Sequence, residues 1–416
     1  MKRASGYIKA VIFIAILALC TWGVIYLLSI HSSKVKFYNF FHDDTEYEIF
    51  FLGASHMNNG VIPMQLWEDY GYTSYNLANG NNSLATSYWQ LKMALEYHVP
   101  EMVILDVVFC DRDEIAWGYG TSHNSFDIFP MDDVKKEAIN ELFDDEDTRL
   151  GFTYPFLLYH NRWRDLSETD LINVFDIRSN PEFSQNGSDY EATVKKSVKE
   201  ELISQDTGLD GYESVGMTYI RKIVDLCNEN GIQIFLINIP YNAEERAQQA
   251  SNEVYRIAAE MNVTYLNLQY EDDLVDYEVD FVDDGGHLNG GGAKKLTEYI
   301  GQYLQNNYSL TDYRQDEKTS ELWDAKYEDY KNAISSYMED PEDLNACLML
   351  LSNPFYTAEI DVVNGKELSE VQQKLINQAA SDVKINYVDK TDDNINVTVK
   401  VYDASTGELI VTHEYE

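Results

Sequence analysis

The first thirty residues constrain this chain most. Lys2, Arg3 and Lys9 precede VIFIAILALCTWGVIYLLSI at 11–30, an uncharged apolar run. At ~1.5 Å per residue, about twenty such residues match a hydrocarbon core ~30 Å thick. The expectation is a transmembrane signal anchor over 10–30 with residues 1–9 as a cytoplasmic N-terminus, since positive charge precedes the span, although Lys34 and Lys36 beyond it weaken the asymmetry. Everything after about residue 31 then lies outside the cell. A cleavable signal peptide is the competing reading, but its apolar core is usually shorter and ends at a small-x-small site, and SIHSSKVK is a poor one. LALC at 17–20 hints at a lipoprotein box, yet Leu19 is too large for the position before the cysteine and the apolar run continues, so Cys20 reads as a membrane residue.

The 416 residues can form one large domain with appendages, or two domains. Lys and Arg total 31 against 71 Asp and Glu, a net charge of −40 that repels phosphate backbones and excludes nucleic acid as a partner. Most of this charge reads as a solvated acidic surface; a cationic partner, or repulsion that holds the domain off an anionic membrane, is the sharper reading. Cys110, Cys227 and Cys347 are scattered without metal-type spacing or an evident pair, so they read as buried thiols rather than as a disulfide scaffold or zinc site.

A polar stalk over 31–45 leads to a domain over 46–312. EYEIFFL, YTSYNL and MVILDVV read as strands, with SLATSYWQLKMALEYH as a helix between the second and third. Farther on, VGMTYIRKIVDLCNENG, IQIFLINI, EVYRIAAEMN, VTYLNL and AKKLTEYIGQYLQNN continue the alternation of helix and strand. Short continuous apolar strands between amphipathic helices predict a parallel α/β sheet covered on both faces. The acidic, aromatic-rich stretch 112–213 interrupts the rhythm as a helical or irregular insertion over the strand ends, where open α/β sheets place their sites. From 313 to 416 a helix and period-two strands predict a small α+β appendage.

Two segments could carry chemistry. FFLGASHMNN ends a buried strand with Ser55 beside His56, and FVDDGGHLNGGGAKKL places Asp284 and His287 three apart on a glycine-rich loop before the last helix of the domain. A serine hydroxyl is a weak nucleophile that needs an adjacent base, whose imidazole needs a carboxylate to hold its tautomer and orientation. Ser55, His287 and Asp284 supply that set. Each half alone also fits ordinary loop chemistry, a capped turn or a metal site, though the eight histidines are dispersed without ligand spacing.

On these residues the chain resembles the SGNH (GDSL-type) hydrolases. FLGASH is similar to their first block, with Ser55 as nucleophile and Ala54 where the GDS form has aspartate; YNLANGNNS resembles the second, with Gly80; DDGGHLN resembles the fifth, with Asp284 and His287. The resemblance covers roughly 46–312 and implies a flavodoxin-like three-layer sandwich with a central parallel sheet, Ser55, His287 and Asp284 as catalytic residues, and an oxyanion hole from the amides of Ser55 and Gly80. The third block departs: ILDVVFCDRDE lacks the expected asparagine, a loss of one donor worth about 2.7–4 kcal/mol in the transition state. With the anchor and the GxSH form, the resemblance is nearest to the DltD-like and alginate-O-acetylation-type subgroup. That implies a membrane-anchored, extracytoplasmic esterase or O-acyltransferase of a bacterial envelope, acting on a polysaccharide or teichoic-type polymer beside a multispanning acyltransferase, with no cofactor. The alternative is a catalytically silent SGNH scaffold that binds such a polymer or acyltransferase.

Further residues are expected near the substrate. His56 points into the site or bonds a backbone carbonyl, and Asn58 and Asn59 replace the missing donor or cap the following helix. His160, Arg162 and Trp163 combine an anion-binding fork with a stacking surface suited to a sugar or phosphate polymer, or pack within the insertion. Asp106 and Asp111 follow a buried strand and line the cleft.

Overall fold

A computed structural model describes residues 2–29, 31–117, 119–209, 211–389 and 395–416. The helix α1 (Lys2–Leu28) contains the apolar run, and Gly6–Leu28 is long and apolar enough to cross a membrane, a test that signal sequences also pass. Ile30, the end of the expected span, lies outside the described residues.

The segment expected as a stalk is a helix, α2 (Ser32–His42). Its aromatic residues recur at helical spacing, and Phe37 and Phe40 are fully buried. Phe40 packs on Tyr47, Phe50 and Tyr75 with ring centroids 6.2, 5.8 and 5.3 Å away. The polarity of the stretch conceals this apolar face, so the stalk expectation is corrected: α2 belongs to the core.

Five short strands form the central sheet: β1 (Ile49–Leu52), β2 (Ser74–Asn76), β3 (Met102–Asp106), β4 (Gln233–Asn238) and β5 (Thr264–Asn267). All pair in parallel in the order β2-β1-β3-β4-β5. Four of them are buried almost throughout, which is why they read as continuous apolar runs rather than alternating ones. The helices α3 (Ser55–Gly60), α4 (Pro63–Tyr70) and α5 (Leu84–Ala94) lie between the first three strands. In the insertion follow α6 (Tyr119–Phe126), α7 (Asp133–Leu142), α8 (Glu146–Thr153), α9 (Phe156–Tyr159) and α10 (Glu168–Phe175). Then α11 (Val215–Glu229), α12 (Glu245–Met261) and α13 (Gly290–Asn307) complete the layers on the sheet. The strand order reverses between β1 and β3, so the crevice beyond their carboxyl ends is where such a sheet opens a ligand site.

The C-terminal region contains α14 (Glu317–Glu339), α15 (Leu344–Leu350), β6 (Tyr356–Val363), α16 (Glu370–Asn377), β7 (Val383–Val388), β8 (Val397–Asp403) and β9 (Leu409–Tyr415). Its mixed sheet runs β7-β6-β8-β9, with β6 parallel to β7 and the other pairs antiparallel. Strand β6 alternates buried Tyr356, Ala358, Ile360 and Val362 with half-buried residues, the period of a strand packed on one face. This region is no detached appendage. Trp323 on α14 is fully buried against Trp67 and Tyr47, and Trp67 Nε1 donates to Asp324 at 3.0 Å. One contiguous apolar cluster runs from Phe37 through β1 and β3 to Met338, Ile360 and Val401, so the break in sequence character near 312 is not a break in the core.

Candidate active site

Ser55 is the first residue of α3, immediately past the carboxyl end of β1. His287 reaches it from a tight loop closed by a bridge between Phe281 and Leu288. Within that loop the amide of Val282 donates to His287 O at 3.0 Å, and Gly285 adopts φ +90°. A Cβ at Gly285 would meet Asn242 Nδ2 at 2.3 Å, so both the backbone conformation and the space demand glycine. Asn242 supports the turn by donating its side-chain amide to Asp284 O at 2.8 Å. Asn289 secures the loop's far end: it accepts from the amide of Gly292 at 3.1 Å, capping α13, and donates to Val279 O at 2.8 Å.

This loop sets a continuous hydrogen-bonded series. Ser55 Oγ lies 2.7 Å from His287 Nε2, and His287 Nδ1 lies 2.6 Å from Asp283 Oδ2. With Nδ1 donating to the carboxylate, Nε2 is left as the acceptor that faces the Ser55 hydroxyl. The carboxylate is Asp283, not Asp284, and the reason is local. Asp283 folds back so that its Oδ1 accepts from the amides of Gly286 at 2.6 Å and His287 at 3.0 Å, which turns Oδ2 onto the imidazole. Asp284 points outward, its side chain 89 % exposed, and pairs with Lys195 at 2.9 Å. Adjacent aspartates give no sequence signal to choose between them. Partial burial opposes ionisation of Asp283, but its bonds from the His287 ring and the two amides outweigh this and hold its carboxyl below the ordinary range.

The series opens on a cavity of about 380 Å³ lined by Ser55, His287, Asn79, Gly80 and Asn124, among others. Gly80 lies in the loop after β2, which is tied to the first strand through Asn79 N and Gly53 O at 3.4 Å. Asn124 comes from α6 in the insertion, and its carbonyl accepts from the Asn79 side chain at 3.2 Å. The opposite wall comes from α2: Ser32, Ser33 and Lys36. Lys36 is buried and donates to Asn58 Oδ1, while Asn58 Nδ2 donates to Asp189. Asn58 is therefore held on both sides of its amide, and Asn59 Nδ2 reaches Glu191 at 3.4 Å. Both line the cavity as wall residues. An extended stretch of the insertion crosses the strand ends, with Asp189 N donating to Asn58 O at 3.1 Å and Gly290 N donating to Glu191 O at 2.8 Å. It brings Asp189 and Glu191 to the cavity beside Glu182, and the sequence reading singled out none of the three. Burial, then repulsion from Asp189, raises the Glu182 carboxyl to about 7 against the attraction of Lys36. Burial likewise lowers the Lys36 ammonium, opposed by Asp189 and Glu182.

Other expected contacts lie elsewhere. His56 is buried beside Tyr241 and His287, with ring centroids 4.6 and 5.3 Å away, and is absent from the cavity lining. Desolvation, then the neighbouring His287, lowers its pKa to about 3, so it stays neutral. Asp106 is fully buried behind the first strand's exit, where burial raises its carboxyl to about 7 against the amides of Val108 and Ile239. It does not line the cleft because its short side chain turns back onto those amides. Asp111 lines a neighbouring cavity with Arg112 and Arg246, whose guanidinium groups stand 3.6 and 3.9 Å from it. His160, Arg162 and Trp163 also lie away from the Ser55 cavity, at the base of α1: Arg162 Nη1 donates to Leu28 O at 2.9 Å and Nη2 meets Asp170 at 2.7 Å, spending the anion-binding fork internally. Cys110, Cys227 and Cys347 are buried thiols, as expected. Among the described residues no cluster of possible metal ligands occurs.

No protein-family model matches the chain, and no curated protein matches it. Among solved structures it is similar to a crystal structure from Bacteroides fragilis described as a "putative acylhydrolase", at 12 % identity and a TM-score of 0.32, over 64 % of this chain and 89 % of that one.

Proposed function

We propose that this protein is a serine acyl-transfer enzyme of the SGNH type, held at the outer face of a membrane by α1 and acting on an ester of a cell-envelope polymer. The observation that carries this reading is the hydrogen-bonded series Ser55–His287–Asp283 opening on the cavity that Gly80 lines. In the reaction Ser55 Oγ attacks the carbonyl carbon while His287 Nε2 takes its proton. The amides of Ser55 and Gly80 receive the developing oxyanion. Collapse expels the alcohol, which takes the proton from His287, and leaves the acyl group on Ser55. Water or a sugar hydroxyl, deprotonated by the same imidazole, then releases it. Asp283 stabilises the imidazolium at each passage.

The cavity's polar walls, with Lys36, Glu182, Asp189 and Glu191, favour a hydroxylated, charged substrate over a long acyl chain. The alternative of a silent binding scaffold is separated by one experiment. Full-length protein in detergent is treated with a fluorophosphonate probe; covalent labelling that disappears in Ser55→Ala is expected, and a folded protein that takes no label would sink the enzyme reading.

A further inference from the structure

The base of α1 is fastened to the insertion. Besides the Arg162 bond to Leu28 O, Tyr26 in the last turns of α1 shares a groove with Asn173 and Val174 of α10 and with Ile177 just beyond it. On the segments that carry these contacts large apolar side chains are exposed: Tyr154, Phe156 and Leu157 at α9, Trp163 beside Arg162, and Leu171 and Phe175 on α10. Trp163 is 60 % and Phe175 79 % exposed, and Leu171 and Phe175 are four apart, on one helical face. A collar of this kind is uncommon on a monomer's water-facing surface and marks something that covers it.

Position and charge identify the cover. The collar adjoins the point where a helix able to cross a bilayer meets the folded domain: α9 touches α1, and Arg162 bonds Leu28 O. Its residue types, aromatic with arginine, are those that settle at the level of lipid head groups. The chain carries a net −40, yet 149–178 contains Arg149, Arg162, Arg164 and Arg178 against Asp165, Glu168, Asp170 and Asp176, and is neutral apart from His160. Within this stretch the opposite charges balance, so the repulsion that keeps an acidic surface off a membrane is weaker there.

We propose that the collar seats in the head-group region of the bilayer that α1 crosses, so that the protein holds its membrane at two places, a spanning helix and an interfacial surface. This rests on the reading of α1 as an anchor. The cavity wall begins at Ser32, four residues beyond Leu28, so the seated collar holds the Ser55 cavity against the lipid surface, facing substrates attached to the membrane or growing from it.

The test uses the full chain in phosphatidylcholine nanodiscs, with and without lipid brominated near the head-group end of its acyl chains. An environment-sensitive fluorophore on Phe175→Cys, in a Cys20→Ser background, is expected to shift to the blue and lose roughly half its emission to the bromines, as an interfacial side chain does. The same fluorophore on Tyr387→Cys, an exposed position on β7, should show neither change. A label at 175 that behaves like the one at 387 overturns the proposal, and a partner protein then covers the collar instead. The native thiol of Cys20, exposed near the middle of the apolar run of α1, is labelled separately and read in lipid brominated near the terminal methyl of its acyl chains. If that label also escapes the bromines, the anchor itself fails and the collar proposal with it; if it is quenched while 175 is not, only the collar proposal falls.

Discussion

His287 is held by Asp283 and not by its neighbour Asp284: 2.6 Å separates His287 Nδ1 from Asp283 Oδ2, while Asp284 turns to Lys195 at the surface. Asp283→Asn is expected to lower kcat by roughly 10³–10⁴-fold, because an amide at this place favours the wrong imidazole tautomer. Asp284→Asn removes only an exposed ion pair and should leave kcat within about twofold. Ester hydrolysis by the two variants side by side decides the point; equal losses would return the role to Asp284.

The loop that carries both residues depends on Gly285. Gly285→Ala adds a Cβ at φ +90° against Asn242 Nδ2, whereas Gly365→Ala meets the same kind of backbone, at φ +86°, with open space around it. The second variant should lose about 1–2 kcal/mol from left-handed strain alone. The first should lose more and also lower kcat, since relief of the contact displaces His287. Thermal unfolding and ester turnover of both variants measure the two costs.

Because α2 supplies Phe37 and Phe40 to the core, the folded domain begins before residue 46. A chain starting at 31 is expected to be folded, and one starting at 46 to aggregate, as loss of either buried phenylalanine costs about 3–5 kcal/mol. Near-ultraviolet circular dichroism of the two fragments is the measurement. A folded, active chain from 46 would show that α2 is dispensable.

His56 gives stability a defined acid dependence. Its folded pKa, about 3, lies below the unfolded value near 6.5. Its contribution is therefore full above pH ~6.5 and is lost progressively as pH falls through that window towards 3, because the unfolded chain binds the extra proton. His56→Phe keeps a ring against Tyr241 and removes the titration. Its urea midpoint should fall less between pH 7 and pH 4 than that of the unaltered protein; parallel declines would show that His56 does not contribute.

Much of this protein was legible along the chain, because short-range patterns carry their own physics. A long uncharged apolar run predicts a helix that could cross a bilayer, and continuous apolar strands between amphipathic helices predict a parallel sheet whose crevice lies at the strand ends. Ser55 and His287 were legible because the strand exit and the glycine turn that present them are local. What needed the tertiary structure were choices between near equals. Asp283 and Asp284 differ only in which way a turn folds. The polar stretch 31–45 hides its aromatic face until Tyr47, Phe50 and Tyr75 gather around it, and the last hundred residues look separate until Trp323 meets Trp67. The cavity walls, Lys36 from one end of the domain and Asp189 and Glu191 from the insertion, come together across more than 150 residues, and no local pattern encodes a contact at that separation.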